Sequence, residues 1–214
     1  MTNTGFKYNN IEKINKNFMY NDLRRSNCYN SNFTNSNFNY VSFRGAHFKS
    51  CDFYGCTFNY SEFIGSNLKK SKFKNAIFEN AIFEGVNLEG VDFKGVKFKN
   101  VIFLDTDISK ASNIKAKKTD IRIYDEIPSL EMSENLKEAI ENAMKNEHIK
   151  KSRVLDNKEG KVNLLSMMIL LENFDEETLI KGLNKLSIEL DKDFCTLSYI
   201  IKTIENYKIK DTII

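Results

Sequence analysis

The sequence predicts a mainly β solenoid followed by a small all-α helical bundle. Between residues 31 and 110, one large apolar residue returns at every fifth position, with a small residue two positions before it. From Ser133 onward, the apolar residues instead follow the spacing of an α-helix. The change of period divides the chain into two kinds of structure.

A five-residue period matches neither a helix, which returns to one face every 3.6 residues, nor a strand, which does so every 2. The chain must therefore turn once in each repeat, and stacked turns of this kind form a solenoid with a continuous core. The predicted core residues are Phe33, Phe38, Phe43, Phe48, Phe53, Phe58, Phe63, Leu68, Phe73, Phe78, Phe83, Leu88, Phe93, Phe98, Phe103 and Ile108.

Longer spacings indicate how many repeats close one coil. Leu68, Leu88 and Ile108, the core positions that are not Phe, recur at every fourth repeat, and Ile82 and Ile102 are separated by the same interval. A coil of four five-residue sides explains this spacing. It predicts columns such as Phe33, Phe53, Phe73 and Phe93, and about four regular coils between residues 31 and 110.

Units such as CDFYG, AIFEG, VNLEG and VDFKG resemble those of the pentapeptide-repeat family, whose unit is a small residue, Asp or Asn, Leu or Phe, and two variable residues. The resemblance covers sixteen consecutive units. It implies a right-handed quadrilateral parallel β-helix with four repeats per coil. The chain departs from the family pattern at the position before the centre, where Lys72, Ile77, Ile82, Lys97 and Ile102 replace the preferred Asp or Asn.

Four segments follow from these patterns. We expect residues 1–30 to form an N-terminal cap or degenerate first coil, because Lys13 occupies a position of the five-residue grid. Residues 31–124 form the β-helix, in which Ile121 and Ile123 suggest one last strand. Pro128, the only proline, marks a linker over residues 125–132, and residues 133–214 form a helical domain of about four helices.

The helix boundaries rest on capping residues. Ser129 or Ser133 is expected to cap a first helix that ends near Ser152, and Asp175 and Asp193 to cap the third and fourth. Between them, VNLLSMMILLENF is apolar nearly all round and predicts a buried central helix. Its methionines fit core packing better than an adaptable binding groove.

One side of the predicted coil carries apolar residues that point outward. Because exposed apolar clusters mark interfaces, we expect this side to be covered by the C-terminal helices or by a second copy of the protein. The alternative is that isolated isoleucines are tolerated on a β surface. The candidate interface residues are Ile64, Ile82, Ile102 and Leu104.

Charged residues on the other sides predict solvated surface. Asp52, Lys72 and Asp92 should form a vertical ladder of charge pairs worth a few tenths of a kcal/mol each. The run from Lys69 to Lys74 could bind phosphate or an acidic partner, but Glu89 and Asp92 lie one coil away and dilute it. The pair Arg24 and Arg25 is likewise expected to be solvated.

The sequence predicts no catalytic residues, metal site or cofactor. His47 and His148 have no evident Cys or carboxylate partners for a triad or a metal site. Cys51 and Cys56 occupy small inward positions, where a buried, inert thiol is expected. No apolar run approaches the ~20 residues that span a bilayer, so the default location is cytoplasmic.

These features favour a non-enzymatic scaffold or protein-interaction module with a protein partner or a homodimer. Some members of the family resemble a DNA duplex and protect bacterial topoisomerases, which requires a strongly acidic surface. Residues 31–110 carry eight acidic and ten basic residues, so DNA mimicry is disfavoured. The interspersed acids also disfavour nucleic-acid binding, and neither a membrane partner nor a small-molecule substrate is indicated.

Overall fold

The computed structural model describes residues 5–157 and 159–212. It contains two compact units, which divide between Glu126 and Ile127. The first unit is the solenoid and the second consists of helices. Both parts of the predicted fold class are confirmed.

The described part of the solenoid contains nine short parallel strands in three sheets. The sheets have the orders β1-β2-β3, β4-β6-β8-β9 and β5-β7. Paired residues lie one coil of four repeats apart, as Cys28 and Phe48 do, and Phe63 and Phe83. The strands are β1 (Lys7–Asn9), β2 (Asn27–Tyr29), β3 (His47–Lys49), β4 (Glu62–Ile64), β5 (Ile77–Glu79), β6 (Ile82–Glu84), β7 (Lys97–Lys99), β8 (Val101–Leu104) and β9 (Ile121–Tyr124).

A left-handed backbone conformation makes each corner of the coil. Every fifth residue from Asn10 to Asp105 has a positive φ, between 46° and 72°. Asn, Gly and Asp adopt this conformation at low cost, which explains why they fill most of these positions. Tyr20, Tyr40 and Tyr60 adopt it as well, and their rings stack in one column with centroids 5.0 and 5.3 Å apart.

The residue before each centre contributes to the local form of a side without deciding it alone, since Lys72 precedes a tight turn and Asn27 begins strand β2. The side chains of Asn32, Asp52 and Asp92 each accept a hydrogen bond from the backbone N–H two residues later, which closes a tight turn. At Ile77, Ile82, Lys97 and Ile102 no such acceptor exists, and the chain is extended in β5, β6, β7 and β8.

Stacked phenylalanine rings fill the interior. Along the predicted column, Phe33, Phe53, Phe73 and Phe93 follow one another at centroid distances of 5.2, 4.8 and 5.4 Å. The predicted core positions from Phe33 to Phe103 are all buried. Ile108 is only half-buried, because Asp107 caps a 3₁₀ turn over Ile108–Lys110 where the regular coil ends.

The solenoid extends beyond residues 31–110, for which the repeat pattern predicts about four regular coils. It has about six turns over its described length. Lys7–Asn9 already pairs with Asn27–Tyr29, so the described residues before Ser31 continue the regular coil. Backbone N–H and C=O groups form the hydrogen bonds between coils, so this pairing does not depend on the side chain. The Lys13 Nζ atom, at this end of the solenoid, lies 5.3 Å from the centroid of the Tyr8 ring.

Different residues cover the two ends of the core. At the N-terminal end, Tyr8 stacks on Phe6 and contacts Phe33, with ring centroids 5.4 and 6.3 Å apart. At the C-terminal end, Ala111, Ile114 and Ala116 pack against the core. These contacts shield the phenylalanine column from water at both ends.

The second unit contains five helices among its described residues, one more than predicted. Asn146 splits the predicted first helix, since its side chain accepts hydrogen bonds from the N–H groups of His148 and Ile149. The same side chain donates to the carbonyls of Ser187 and Leu190, both at 3.1 Å. The helices are α1 (Glu134–Lys145), α2 (Glu147–Ser152), α3 (Leu164–Asn173), α4 (Glu176–Glu189) and α5 (Leu197–Thr212).

Two of the proposed caps are correct and one is wrong. Ser133 caps α1 and Asp175 caps α4, each through a side-chain oxygen that accepts from a backbone N–H. Asp193 lies four residues before α5 and instead contacts His148. Pattern alone placed the start of this helix too early.

The burial predicted for the apolar central helix is found on only part of its surface. Leu165, Met167 and Leu170 of α3 are buried, whereas Leu164 and Met168 are half-buried, so α3 is not enclosed on all sides. Gly182 permits α4 and α5 to approach closely, because an added Cβ would lie 2.8 Å from Ile204 Cγ1.

We expect the substitution Phe78→Ala to lower the free energy of unfolding by about 3–5 kcal/mol, since it leaves a cavity in a close-packed ring column. Phe78 is fully buried and stacks on Phe58 at 4.7 Å. Urea unfolding followed by circular dichroism measures the change. A loss below about 1 kcal/mol would show that the neighbouring rings close the cavity.

We expect Asn146→Ala to destabilise the helical unit by about 2 kcal/mol, because it removes a helix cap and both hydrogen bonds to the end of α4. The matched control is Asn135→Ala, at an exposed position of α1. Thermal unfolding of both variants tests the difference. Equal melting temperatures would contradict the role assigned to Asn146.

Candidate interaction surface

The candidate interface residues lie on the sheet formed by β4, β6, β8 and β9. Ile82 pairs with Ile102, and Glu84 with Leu104, in the register that joins successive coils. These pairs belong to two vertical columns of residues, one through Ile82 and Ile102 and one through Glu84 and Leu104. Toward the N-terminus both columns begin with polar residues. We call this surface the packing face; it consists of Ser42, Arg44, Glu62, Ile64, Ile82, Glu84, Ile102, Leu104 and Arg122.

Outward-pointing residues of the packing face are buried in the single chain. Ile82 is 7% exposed, Ile102 2% and Leu104 9%. Ile77 occupies the same position of a repeat on the neighbouring side and is 38% exposed. The burial is therefore a property of this side, which makes it a packing surface. Its role as an interface with another protein stays a prediction.

Sequence reasoning missed the polar half of the packing face. Ser42 is fully buried and Glu62 is 3% exposed, although both side chains leave the solenoid on its outer side. Burial raises the pKa of the Glu84 carboxyl; the nearby Arg44 guanidinium opposes this shift and Asp105 adds to it. The signals in the sequence were Ser42 and Glu62, which both stand in place of the Asp or Asn of the repeat.

A groove of about 600 Å³ near the C-terminal end of the solenoid is mainly polar. Asp105, Asp107, Lys110 and Asp125 contribute its charged groups. The pKa of the Asp107 carboxyl is lowered by hydrogen bonds from the hydroxyl and backbone N–H of Ser109. Because this carboxylate caps a turn and no histidine or thiol lines the groove, the arrangement favours a structural role.

The predicted charge ladder has a different geometry from that expected. Asp52, Lys72 and Asp92 are vertical neighbours, as the register between coils requires. However, both carboxylates accept hydrogen bonds from backbone N–H groups of their own turns. Lysine and glutamate pair across coils elsewhere, as Lys69 does with Glu89 at 2.7 Å.

His148 has a carboxylate partner that the sequence did not reveal. Its Nδ1 lies 2.8 Å from Asp193 Oδ1, and its Nε2 lies 3.8 Å from Glu147 Oε1. His148 and Asp193 are 45 positions apart, so only the packing of the helices brings them together. Within residues 5–157 and 159–212, no group of three or more His, Cys, Asp or Glu side chains could hold a metal ion.

The cysteines of the solenoid are buried and reluctant to ionise. Burial raises the pKa of Cys28 to about 11 and those of Cys51 and Cys56 to about 12. The Cys56 thiol donates to the Phe33 carbonyl at 2.9 Å. Such thiols are poor nucleophiles, because the thiolate is the reactive form.

Comparison with known proteins agrees with the geometry. The family described as "Pentapeptide repeats (8 copies)" matches residues 61–100 and 83–112, and "Pentapeptide repeats (9 copies)" matches residues 17–57. These matches identify residues 17–57 and 61–112 as pentapeptide repeats. The nine-copy match begins at residue 17, in agreement with regular coils before Ser31. No match was found among curated proteins.

Solved pentapeptide-repeat structures resemble part of the chain. Rfr23 from the cyanobacterium Cyanothece 51142 is 22% identical over 46% of this chain and 88% of its own, with a TM-score of 0.29. QnrB1, a plasmid-mediated fluoroquinolone resistance protein, is 18% identical over 47% and 61%, with a TM-score of 0.26. A protein of the Arabidopsis thaliana thylakoid lumen is 21% identical over 44% and 70%, with a TM-score of 0.28. Sequence identities and TM-scores this low do not support assigning the function of these proteins to this chain.

Among the described residues, no helix combines the length and apolar character that crossing a membrane requires.

We expect the protein to lose stability as the pH rises above about 8.5, where thiols of the unfolded chain ionise. The folded chain keeps Cys28, Cys51 and Cys56 protonated to about pH 11–12 and so binds more protons than the unfolded chain. Each such thiol lowers the unfolding free energy by about 1.4 kcal/mol per pH unit.

Urea unfolding at pH 8 and pH 10, for the natural chain and for Cys56→Ala, measures this effect. Alanine occupies the equivalent inward position at Ala46 and Ala76, which makes it a suitable replacement. The variant should lose less stability between the two pH values. Equal losses in the two proteins would show that the Cys56 thiol does not contribute.

Proposed function

We propose that the protein is a non-enzymatic scaffold, in which the pentapeptide-repeat rod supplies a rigid packing face for assembly with protein. The observation that supports this proposal is that Ile82 and Ile102, on an outward side of the solenoid, are already buried within the single chain, whereas Ile77 on the neighbouring side is exposed, so this side is suited to packing against protein. Apolar side chains directed away from a complete core are of use only where other atoms cover them.

Charge supports a scaffold more than a DNA mimic. Residues 1–126 carry 19 basic and 13 acidic residues, a formal net charge of +6. A protein that competes with DNA for a topoisomerase needs the opposite sign over its surface. Topoisomerase inhibition and protection assays with the full chain are expected to show no effect.

The packing face is tested by Ile82→Lys, with Ile77→Lys as the matched control on the neighbouring side. We expect Ile82→Lys to lower the free energy of unfolding by more than about 3 kcal/mol, because it places a charge at a buried apolar position. Ile77→Lys should change it by less than about 0.5 kcal/mol. Equal effects would contradict the assignment of a packing face.

Sedimentation velocity of the full chain over a range of concentrations tests whether a second copy is the partner. A self-association weakened by Ile64→Lys, at the half-buried edge of the face, would support a homodimer. A monomer at every concentration would exclude self-association and leave a different protein as the partner.

A further inference from the structure

Lysine side chains converge on one corner of the last coils of the solenoid. Lys72 and Lys74 flank Phe73 on one side of the coil, and Lys94 follows Phe93 one coil later. Asp92 is the strand neighbour of both Lys72 and Ser112, so residues after Ser112 continue from this side. The lysine corner consists of Lys72, Lys74, Lys94, Lys97, Lys115 and Lys117. The last two lie in the segment between Ser112, which pairs with Asp92, and Ile121, which pairs with Val101, so this segment passes over the side that carries Lys97.

The turn at Gly95 brings two sides of this corner together. Gly95 has a φ of +72° and separates Lys94, on one side, from Lys97 on the next. Lys97 pairs with Ile77 in β5, one coil below, so Lys97 lies in the same coil as Lys94. Neighbouring coils are about 4.8 Å apart, so the charges of successive levels lie within one Debye length of about 8–10 Å.

Nearby carboxylates neutralise this corner only in part, because Asp52 and Asp92, the register neighbours of Lys72, set two negative charges against six lysines. Asp92 accepts hydrogen bonds from the Lys94 backbone N–H and from Asn113 Nδ2, and Glu79 pairs with Lys99. All six side chains of the lysine corner are exposed. Across the described ranges, none of their ammonium groups has an ion-pair partner, whereas Lys69 pairs with Glu89 at 2.7 Å.

We propose that the lysine corner binds an acidic segment of a partner protein. Six lysines against two carboxylates leave an excess of positive charge within three coils, which attracts acidic side chains, and about 10 Å of rod matches a short segment. In an extended chain, side chains on one face repeat about every 6.6 Å, so about two carboxylates per strand would meet the corner.

A nucleic acid fits the corner less well than an acidic peptide. The corner has no arginine to bind phosphates bidentately. Its nearest tyrosine, Tyr54, receives a hydrogen bond on its hydroxyl from Asn75 Nδ2, which holds this ring at the surface in a fixed position. The corner therefore lacks the series of stacking rings typical of single-strand binding.

Fluorescence anisotropy with the full chain tests the proposal. The probes are labelled peptides of ten glutamates and of ten glutamines, and a single-stranded DNA of ten nucleotides. The variant is Lys74→Gln, Lys94→Gln, Lys97→Gln. The control removes the same charge from the first coils by Lys7→Gln, Lys16→Gln, Lys49→Gln, and circular dichroism establishes that both proteins are folded.

We expect the glutamate peptide to bind the natural chain in a salt-dependent manner and the glutamine peptide not to bind. The corner variant should bind the glutamate peptide about tenfold more weakly, and the control should bind it as the natural chain does. Equal weakening of peptide binding in both variants would show that net charge alone determines the affinity, and would overturn the proposal. Tighter binding of DNA than of the glutamate peptide, lost in the corner variant, would overturn it in favour of nucleic acid.

This proposal concerns different sides of the coil from the packing face. Its failure would leave the scaffold proposal standing, because Ile82 and Ile77 test that proposal separately.

Discussion

The solenoid depends on one constraint: each coil must place its large residue directly over that of the coil below. Phe43 and Phe63, with ring centroids 4.5 Å apart and planes within 4°, illustrate the contact. Parallel pairing at an interval of four repeats sets this registry through backbone hydrogen bonds, and the rings fill the space it leaves. A shift by one residue would exchange core and surface positions along a whole side, so each repeat supports the register of the next.

The corners make this registry attainable. A left-handed residue at every fifth position turns the chain, and Asn or Gly there lowers the cost of each turn. Three tyrosines occupy such positions at Tyr20, Tyr40 and Tyr60, where stacking of their rings offsets part of the strain. At Asn32, Asp52 and Asp92, the side chain before the centre also stabilises the tight turn that follows. Surface composition and local backbone form are thus linked on these sides of the coil.

Because core and corners are nearly uniform, differences in function must arise on the outer sides. The packing face joins buried isoleucines to a buried carboxylate at Glu62, whereas the lysine corner concentrates six lysines that Asp52 and Asp92 neutralise only in part. One surface suits permanent burial and the other a reversible, salt-dependent contact. We propose that the first surface serves packing against protein and that the second binds an acidic partner.

Local pattern was sufficient for the solenoid, its four-sided coil, its phenylalanine columns and the cap at Asp175, because each depends on residues at fixed short spacings. Tertiary structure decided the rest. The coil begins before Ser31 because backbone pairing tolerates Lys13, and α1 ends at Asn146 because the end of α4 offers carbonyls to its side chain. His148 meets Asp193, and the lysines gather at one corner, only when distant segments stack. Contacts of this kind join residues that are far apart in the sequence, so patterns over short spacings do not predict them.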